Sequence, residues 1–301
     1  MIEIVRHFLR RLWQTPLLLG WLALGPLVAL WIEGWTGFVL GLVNVALIGV
    51  YATLIRWMTS NAPKPPPVRR PRLELTVALG LLGLFLLTQL LDFGVWAVQP
   101  WQGWLRGFLA DVYRAVASVR GMPEWAIQEV YLAASSTIKQ LIPTLLAVWL
   151  LGYRPRDAGL AHPHWRLTAL LVGATTALGL ATGVLTHAPP GRVFALYAAG
   201  ILVNALPEEL FFRGFLLPRL EKALGNPLNA LVVSALLFNA LHVPIELSRG
   251  ASPWMALLGI VSIGYPSGLI WGYLYLRTRS ILPGTFWHAA NGKLGFLMMD
   301  L

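Results

Sequence analysis

The 301-residue chain contains no cysteine. Disulfides, thiol nucleophiles and cysteine-ligated metals are thereby excluded, while the redox compartment stays open. Charge is scarce too. Only 12% of residues are Asp, Glu, Lys or Arg, against about 25% in an ordinary soluble domain. Acidic residues are the scarcer sign, 13 against 23 basic, for a formal net charge of +10. In a soluble chain that excess would point to nucleic acid. Here the basic residues fall between long apolar runs, so topology and anionic headgroups account for them. The expected partner is the lipid bilayer, and no nucleic acid is expected. The abundant residues are apolar: 57% are hydrophobic and the mean hydropathy is +0.66. The fold class that follows is all-α, a polytopic transmembrane helical bundle.

A span needs about 20 mainly apolar residues. Candidate spans are 15–32, 35–58, 74–98, 130–152, 166–187, 193–217, 228–246, 254–276 and 281–299. The less apolar segment 101–122, with Arg106, Asp111, Arg114 and Arg120, reads as an amphipathic helix in the interface. Its uncertain side leaves the count at eight or nine. The run from Ala62 to Pro71 is a stiff basic linker rich in proline. Arg6, Arg10 and Arg11 resemble the basic region of a signal peptide, but the apolar run that follows lacks a small-x-small exit and ends in Trp-Ile-Glu-Gly-Trp. It reads as a retained first span. With the N-terminus in the cytoplasm, 15 of the 23 Lys and Arg fall in inner loops, which supports that orientation. The compact Trp- and Arg-rich chain points to a prokaryotic plasma membrane.

The chemistry concentrates in the C-terminal half. Glu208 and Glu209 stand side by side in the apolar run Asn204-Ala-Leu-Pro-Glu-Glu-Leu-Phe-Phe-Arg-Gly. An acidic residue at the centre of a membrane helix costs roughly 2.5 to 3.5 kcal/mol, so two mark a functional site by default. Their helix should run from just after Pro189-Pro190-Gly191 to Gly225-Asn226-Pro227, about 33 residues or roughly 50 Å at 1.5 Å each. Pro207 should kink it just before the pair. Residues four apart share a helix face. Glu209 is so placed to Arg213 and should be its ion-pair partner. Glu208 is so placed only to the neutral Asn204, which leaves it free to take a proton as a general base. A purely structural cluster would need one carboxylate per Arg, not two. Phe238-x-x-x-His242 follows, then His288 with Asn291 three residues on. Each His alone is more often an interfacial or hydrogen-bonded residue; three polar centres on consecutive apolar segments make a site.

These residues resemble the CPBP family of intramembrane proteases, which contains the Ras-converting CAAX prenyl endopeptidases and the bacterial Abi proteins. The match lies in Glu208, Glu209 and Arg213 (Glu-Glu-x-x-x-Arg), Phe238 and His242 (Phe-x-x-x-His), and His288 followed by Asn291, with the run from Ser267 to Pro283 similar as well. It covers roughly 166–299. The implied organisation is 1–160 as N-terminal spans with the basic loop and interfacial helix, and 161–301 as a protease core. The implied activity is a glutamate-dependent endopeptidase acting near the membrane surface on a membrane-associated or C-terminally anchored protein. By that resemblance Glu208 and His242 would activate water, while His288 and Asn291 would stabilise the oxyanion. One departure stands out: the family places Asn four residues after the last His, where this chain has Gly292.

No cofactor is certain. Zinc is possible, since Glu208, His242 and His288 make a two-His, one-carboxylate set, but no His-Glu-x-x-His motif is present and the metal-free mechanism is favoured. Other protease classes lack their motifs: the nearest approach to a rhomboid Gly-x-Ser-Gly has Tyr265 where Gly belongs. Two non-proteolytic classes stay open. One is a proton-coupled transporter using the Glu pair, although no internal repeat supports it. The other is a non-catalytic adaptor, such as a bacteriocin-immunity protein of the same family.

Overall fold

A computed structural model describes residues 14–59, 62–95, 99–161, 164–263 and 266–298. Arg6, His7, Arg10, Arg11 and His162 lie outside them. All regular structure among the described residues is helical. The helices are α1 Pro16–Met58, α2 Pro71–Asp92, α3 Gln99–Ala117, α4 Glu124–Ser136, α5 Ile142–Leu150 and α6 Trp165–Leu185. The long helix α7, Pro190–Leu224, follows. After it come α8 Pro227–Ala240, α9 Val243–Ser248, α10 Pro253–Val261, α11 Ser267–Thr278 and α12 Leu282–Met298. Five stretches, namely α1, α2, α6, α7 and α8 continued through α9, are long and apolar enough to cross a membrane. The chain is an integral membrane protein.

α1 is a hairpin rather than one rod. Gly34 has φ +67° and ψ −154°, a region essentially reserved for glycine, and there the chain reverses. The two halves then touch: a Cβ on Gly41 would stand 2.9 Å from Pro26 Cα. The reversal separates the two spans expected at 15–32 and 35–58. Trp31 and Trp35 at the tip and Trp254 beside them are more than half exposed, as are Trp57, Trp149 and Trp165 at the opposite end of the bundle. Exposed Trp at two levels is the signature of the two membrane interfaces. From Trp35 to Trp57 is about 33 Å of helix at 1.5 Å per residue, close to the ~30 Å hydrocarbon thickness.

Proline decides where the helices deform. Three π-helical segments occur, at Thr137–Leu141, Ile201–Ala205 and Leu210–Leu216. Each ends two residues before a proline: Pro143, Pro207 and Pro218. A proline inside a helix lacks its N–H and collides with the carbonyl four residues back. A π turn widens the ring there and lets the helix continue. Pro207 therefore acts through a π turn, and Glu208–Glu209 sit in the four-residue α-turn Leu206–Glu209 between two such segments.

The span expected at 254–276 is broken. α10 stops at Val261, Ser262 is extended (ψ 135°), and α11 restarts only at Ser267 after Pro266. Pro266 has no N–H to give the carbonyl four residues back, that of Ser262, so a helix cannot run through unbroken. The main apolar core gathers Phe211, Phe212 and Phe215 of α7 with Phe85 of α2, Phe238 of α8 and Trp271 of α11. Trp21 of α1 joins it, so both halves of the chain build one core.

At the Trp57 end a buried polar network joins three segments. Arg219 pairs with Glu74 at 3.1 Å, and the Tyr153 hydroxyl donates to Glu74 at 2.7 Å. Glu74 also accepts the Arg70 N–H at 2.7 Å, which caps the start of α2. Burial, and then the bond to Glu74, hold the Tyr153 phenol above its ordinary value, so it remains a donor. Removing one partner of a buried pair strands the other charge, at about 3 to 5 kcal/mol, whereas a single neutral hydrogen bond contributes about 1 kcal/mol. Glu74→Ala should therefore lower the unfolding midpoint of the detergent-purified protein far more than Tyr153→Phe; equal shifts would mean that Arg219 does not depend on Glu74.

Candidate active site

The centre of the bundle holds a buried ion pair. Glu209 and Arg213 are each 1% exposed, with Arg213 Nη1 3.1 Å from Glu209 Oε1. One carboxylate balances the charge of a buried guanidinium but leaves further N–H donors to be met. Its Nη2 donates to the Gly268 carbonyl at 3.2 Å. Its plane lies 4.7 Å from the Phe238 ring centroid and 5.7 Å from that of Trp271, close enough for cation–π attraction.

His288 of α12 completes the cluster. Its Nδ1 lies 3.1 Å from Glu209 Oε1, and its Nε2 lies 3.6 Å from Glu208 Oε2. The imidazole stacks on Trp271 at 3.8 Å between centroids and 20° between planes, and Phe238 meets it edge-on at 6.0 Å. A carboxylate only accepts, so the Nδ1 proton belongs to the bond with Glu209, and the ring is locked with Nε2 facing Glu208. Gly284, one turn earlier on α12, makes room for this: a Cβ there would be 3.1 Å from Glu209 Oε2. The two carboxylates are thus inequivalent. Glu209 is consumed by Arg213 and His288. Glu208, with its side chain 14% exposed, has His288 as its ion-pair partner among the described residues. If the Glu208–His288 pair holds one proton, the four groups sum to zero charge and no net charge is buried.

A cavity of about 470 Å³ adjoins this cluster. Phe238, Trp271 and His288 form its buried floor, and the exposed His242 stands on its wall. Its rim carries Glu33, Glu246 and Arg249. Glu208 is not among the lining residues; it is reached past His288. His242 sits at the turn between α8 and α9, where Pro244 interrupts the helix, and its Nδ1 is 3.3 Å from the Phe238 carbonyl oxygen. A carbonyl also only accepts, which puts the proton on Nδ1 and leaves the Nε2 lone pair free.

Of the residues singled out in the sequence, the structure brings Glu208, Glu209, Arg213 and His288 into contact and places His242 on the same cavity. It does not bring Asn291 there. Asn291 is exposed, and among the described residues it makes no hydrogen bond to Glu208, His242 or His288. At three residues past His288 it lies about 60° from His288 around α12, and the site takes up only the His288 face. Nor are Glu208, His242 and His288 gathered as metal ligands: among the described residues no group of three or more His, Cys, Asp or Glu is arranged to hold an ion. Trp271, Gly268 and Gly284 were not singled out as site residues. Gly268 and Trp271 fall in the Ser267–Pro283 run and Gly284 just beyond it, but the contacts of Gly268 with Arg213, 55 residues away, and of Gly284 with Glu209 are long-range and leave no local signal.

Residues 189–292 match the family model described as type II CAAX prenyl endopeptidase Rce1-like. The matched stretch contains the whole cluster. Uncharacterized protein YyaK of Bacillus subtilis (strain 168) is 36% identical over 109 residues, which are 36% of this chain and 34% of that protein. The chain therefore spans about a third of the length of the curated relative it matches. No solved structure matches it.

The Glu209–Arg213 contact should dominate the stability of the site. Glu209→Ala and Arg213→Ala should each cost about 3 to 5 kcal/mol, because each leaves an uncompensated buried charge. The double variant should cost clearly less than their sum. Additive losses in thermal or denaturant unfolding would show that the two residues act separately.

Proposed function

We propose that this chain, a member of the CPBP family of CAAX-protease-like membrane proteins through residues 189–292, is an intramembrane endopeptidase. The observation that carries the reading is His288, clamped by Glu209 and Trp271 so that Nε2 faces Glu208 beside a cavity with a polar rim. A structural ion pair needs neither the second carboxylate nor the oriented imidazole. A hydrolytic site needs both.

In this scheme a water in the cavity is held by the free Nε2 of His242 and loses a proton to Glu208. Its oxygen attacks the carbonyl carbon of the scissile peptide. His288, carrying the proton it shares with Glu208, donates to the oxyanion that forms. Collapse of the tetrahedral intermediate breaks the C–N bond, and the proton taken from water passes to the leaving amine. Water is consumed, and an acid and an amine are released. Glu209 and Arg213 position His288 and hold the local charge balance. Asn291 has no part in this scheme. No step passes through a metal. The substrate is a protein or peptide at the membrane, and the setting is a prokaryotic plasma membrane with the N-terminus in the cytoplasm.

Purified protein in detergent, offered a peptide library, tests the activity. Glu208→Gln keeps the size and hydrogen-bonding capacity of the side chain but cannot take a proton. It should lower kcat by about a hundred- to ten-thousand-fold, the range of general acid–base catalysis, with an unchanged unfolding midpoint. Retained turnover would remove Glu208 as the base. A chelator should leave cleavage unchanged; loss of cleavage restored by zinc would replace this scheme with a metal-dependent one. Absence of cleavage in the unaltered protein would favour a non-catalytic adaptor.

A further inference from the structure

The two ends of the bundle differ sharply in charge. Cross-links between segments identify one end: Arg219 with Glu74, Arg279 with Glu221, Arg277 with Thr59, and Asn226 with the Gln14 carbonyl. The segments there, 56–74, 152–166, 219–226 and 277–281, carry twelve Lys and Arg against three acidic residues. The other end is identified by Trp31 against Trp254, Lys293 with Glu129, and Arg192 over Trp125. Its segments, 31–35, 92–129, 187–192, 242–253 and 291–298, carry six basic and six acidic residues. An excess of Lys and Arg near span ends marks the cytoplasmic side. The basic end is therefore cytoplasmic.

The cavity belongs to the other end. Its floor residues are almost wholly buried, whereas exposure grows toward His242, Glu246 and Arg249. Its rim reaches Glu33, next to the hairpin tip at Gly34, and Ala251, before α10. Depth can be read along α1. Asn239 beside the floor donates to the Ile260 carbonyl, and the adjacent Val261 carbonyl accepts from Trp21. From Trp21 to Trp31 is about 15 Å of helix, so the floor lies near mid-membrane, below the Trp31–Trp254 girdle. Toward the basic end the way is filled by Phe212, Phe215, Leu216 and the Arg219–Glu74 pair, all buried.

We infer that the active-site cavity opens on the non-cytoplasmic face of the membrane, and that its substrate is a peptide segment presented on that face. The substrate class would then be translocated chains, such as the outer juxtamembrane segment of a membrane protein or an exported peptide still in the bilayer. Cytoplasmic C-terminal tails would not reach it. The substrate rests on the endopeptidase reading; the sidedness does not.

The absence of cysteine makes the natural chain its own background for a labelling test. Ser248, exposed beside the rim, and Lys64, exposed in the basic linker, are each replaced singly by Cys. Intact bacterial cells expressing either variant are treated with a membrane-impermeant maleimide. Ser248→Cys should be labelled in intact cells, and Lys64→Cys only after permeabilisation. The opposite pattern, equal labelling of both, or labelling of Ser248→Cys only after permeabilisation would overturn the inference. Should Ser248→Cys not accumulate, Ala251→Cys reports on the same rim. Peptide cleavage measured on the same single-Cys proteins separates the two claims. A reversed pattern with peptide cleavage intact refutes the sidedness alone. The expected pattern without any cleavage refutes the endopeptidase reading alone.

Discussion

A guanidinium buried in the middle of a membrane protein constrains everything around it. Arg213 is 1% exposed, and a charge in such a place is tolerated only with partners for its charge and for its donors. Glu209 supplies the charge from the same helix. The Gly268 carbonyl supplies an acceptor, and Phe238 and Trp271 supply aromatic faces. Those demands draw α7, α8 and α11 together. His288 then docks on the remaining side of Glu209 and brings in α12. Assembly of the helices and orientation of the imidazole are thus one event, and what stabilises the fold also aims the site.

The deformation of α7 serves the same end. An unbroken α-helix repeats its faces every 3.6 residues, so Asn204, Glu208 and Arg213 would drift steadily around it. π segments on both sides of Leu206–Glu209 reset that rotation. The prolines at 207 and 218 force the widened turns, and the short α-turn between them presents two adjacent carboxylates to different neighbours. Adjacent residues on a helix point about 100° apart. That divergence is what lets Glu209 face Arg213 while Glu208 faces Nε2 of His288.

Local relations were legible in the sequence, and long-range ones were not. The Glu209–Arg213 pairing follows from a four-residue spacing, the long helix from its flanking Pro-Pro-Gly and Gly-Asn-Pro, and the helical membrane class from the apolar runs. The form of the Pro207 distortion was harder to read, because a proline in an apolar run signals either a kink or a π turn and packing chooses between them. The span at 254–276 read as continuous because Ser262 to Pro266 is short and flanked by strongly apolar residues. The stacking of Trp271 on His288 and the room left at Gly284 depend on how α11 and α12 meet. The Asn291 assignment rested on proximity to His288 in sequence. A residue three places on is close in height but rotated, and the rotation leaves it exposed.

The hydrolysis proposed for this site poses a problem inside a bilayer that the arrangement answers in graded steps. Water must reach the site, yet unpaired charge must stay out of the apolar interior. Exposure falls from Arg249 on the rim and His242 on the wall to His288 on the floor. The strongest charges, Glu209 and Arg213, lie behind that floor and balance each other. Glu208 sits at the boundary, buried enough to be shielded from bulk solvent and held against one imidazole nitrogen. Polar groups therefore follow the path of water rather than that of lipid. The apolar face of α1, with Leu24, Leu27, Val39 and Leu40 exposed between its tryptophans, keeps the membrane seal on the outside of the same wall.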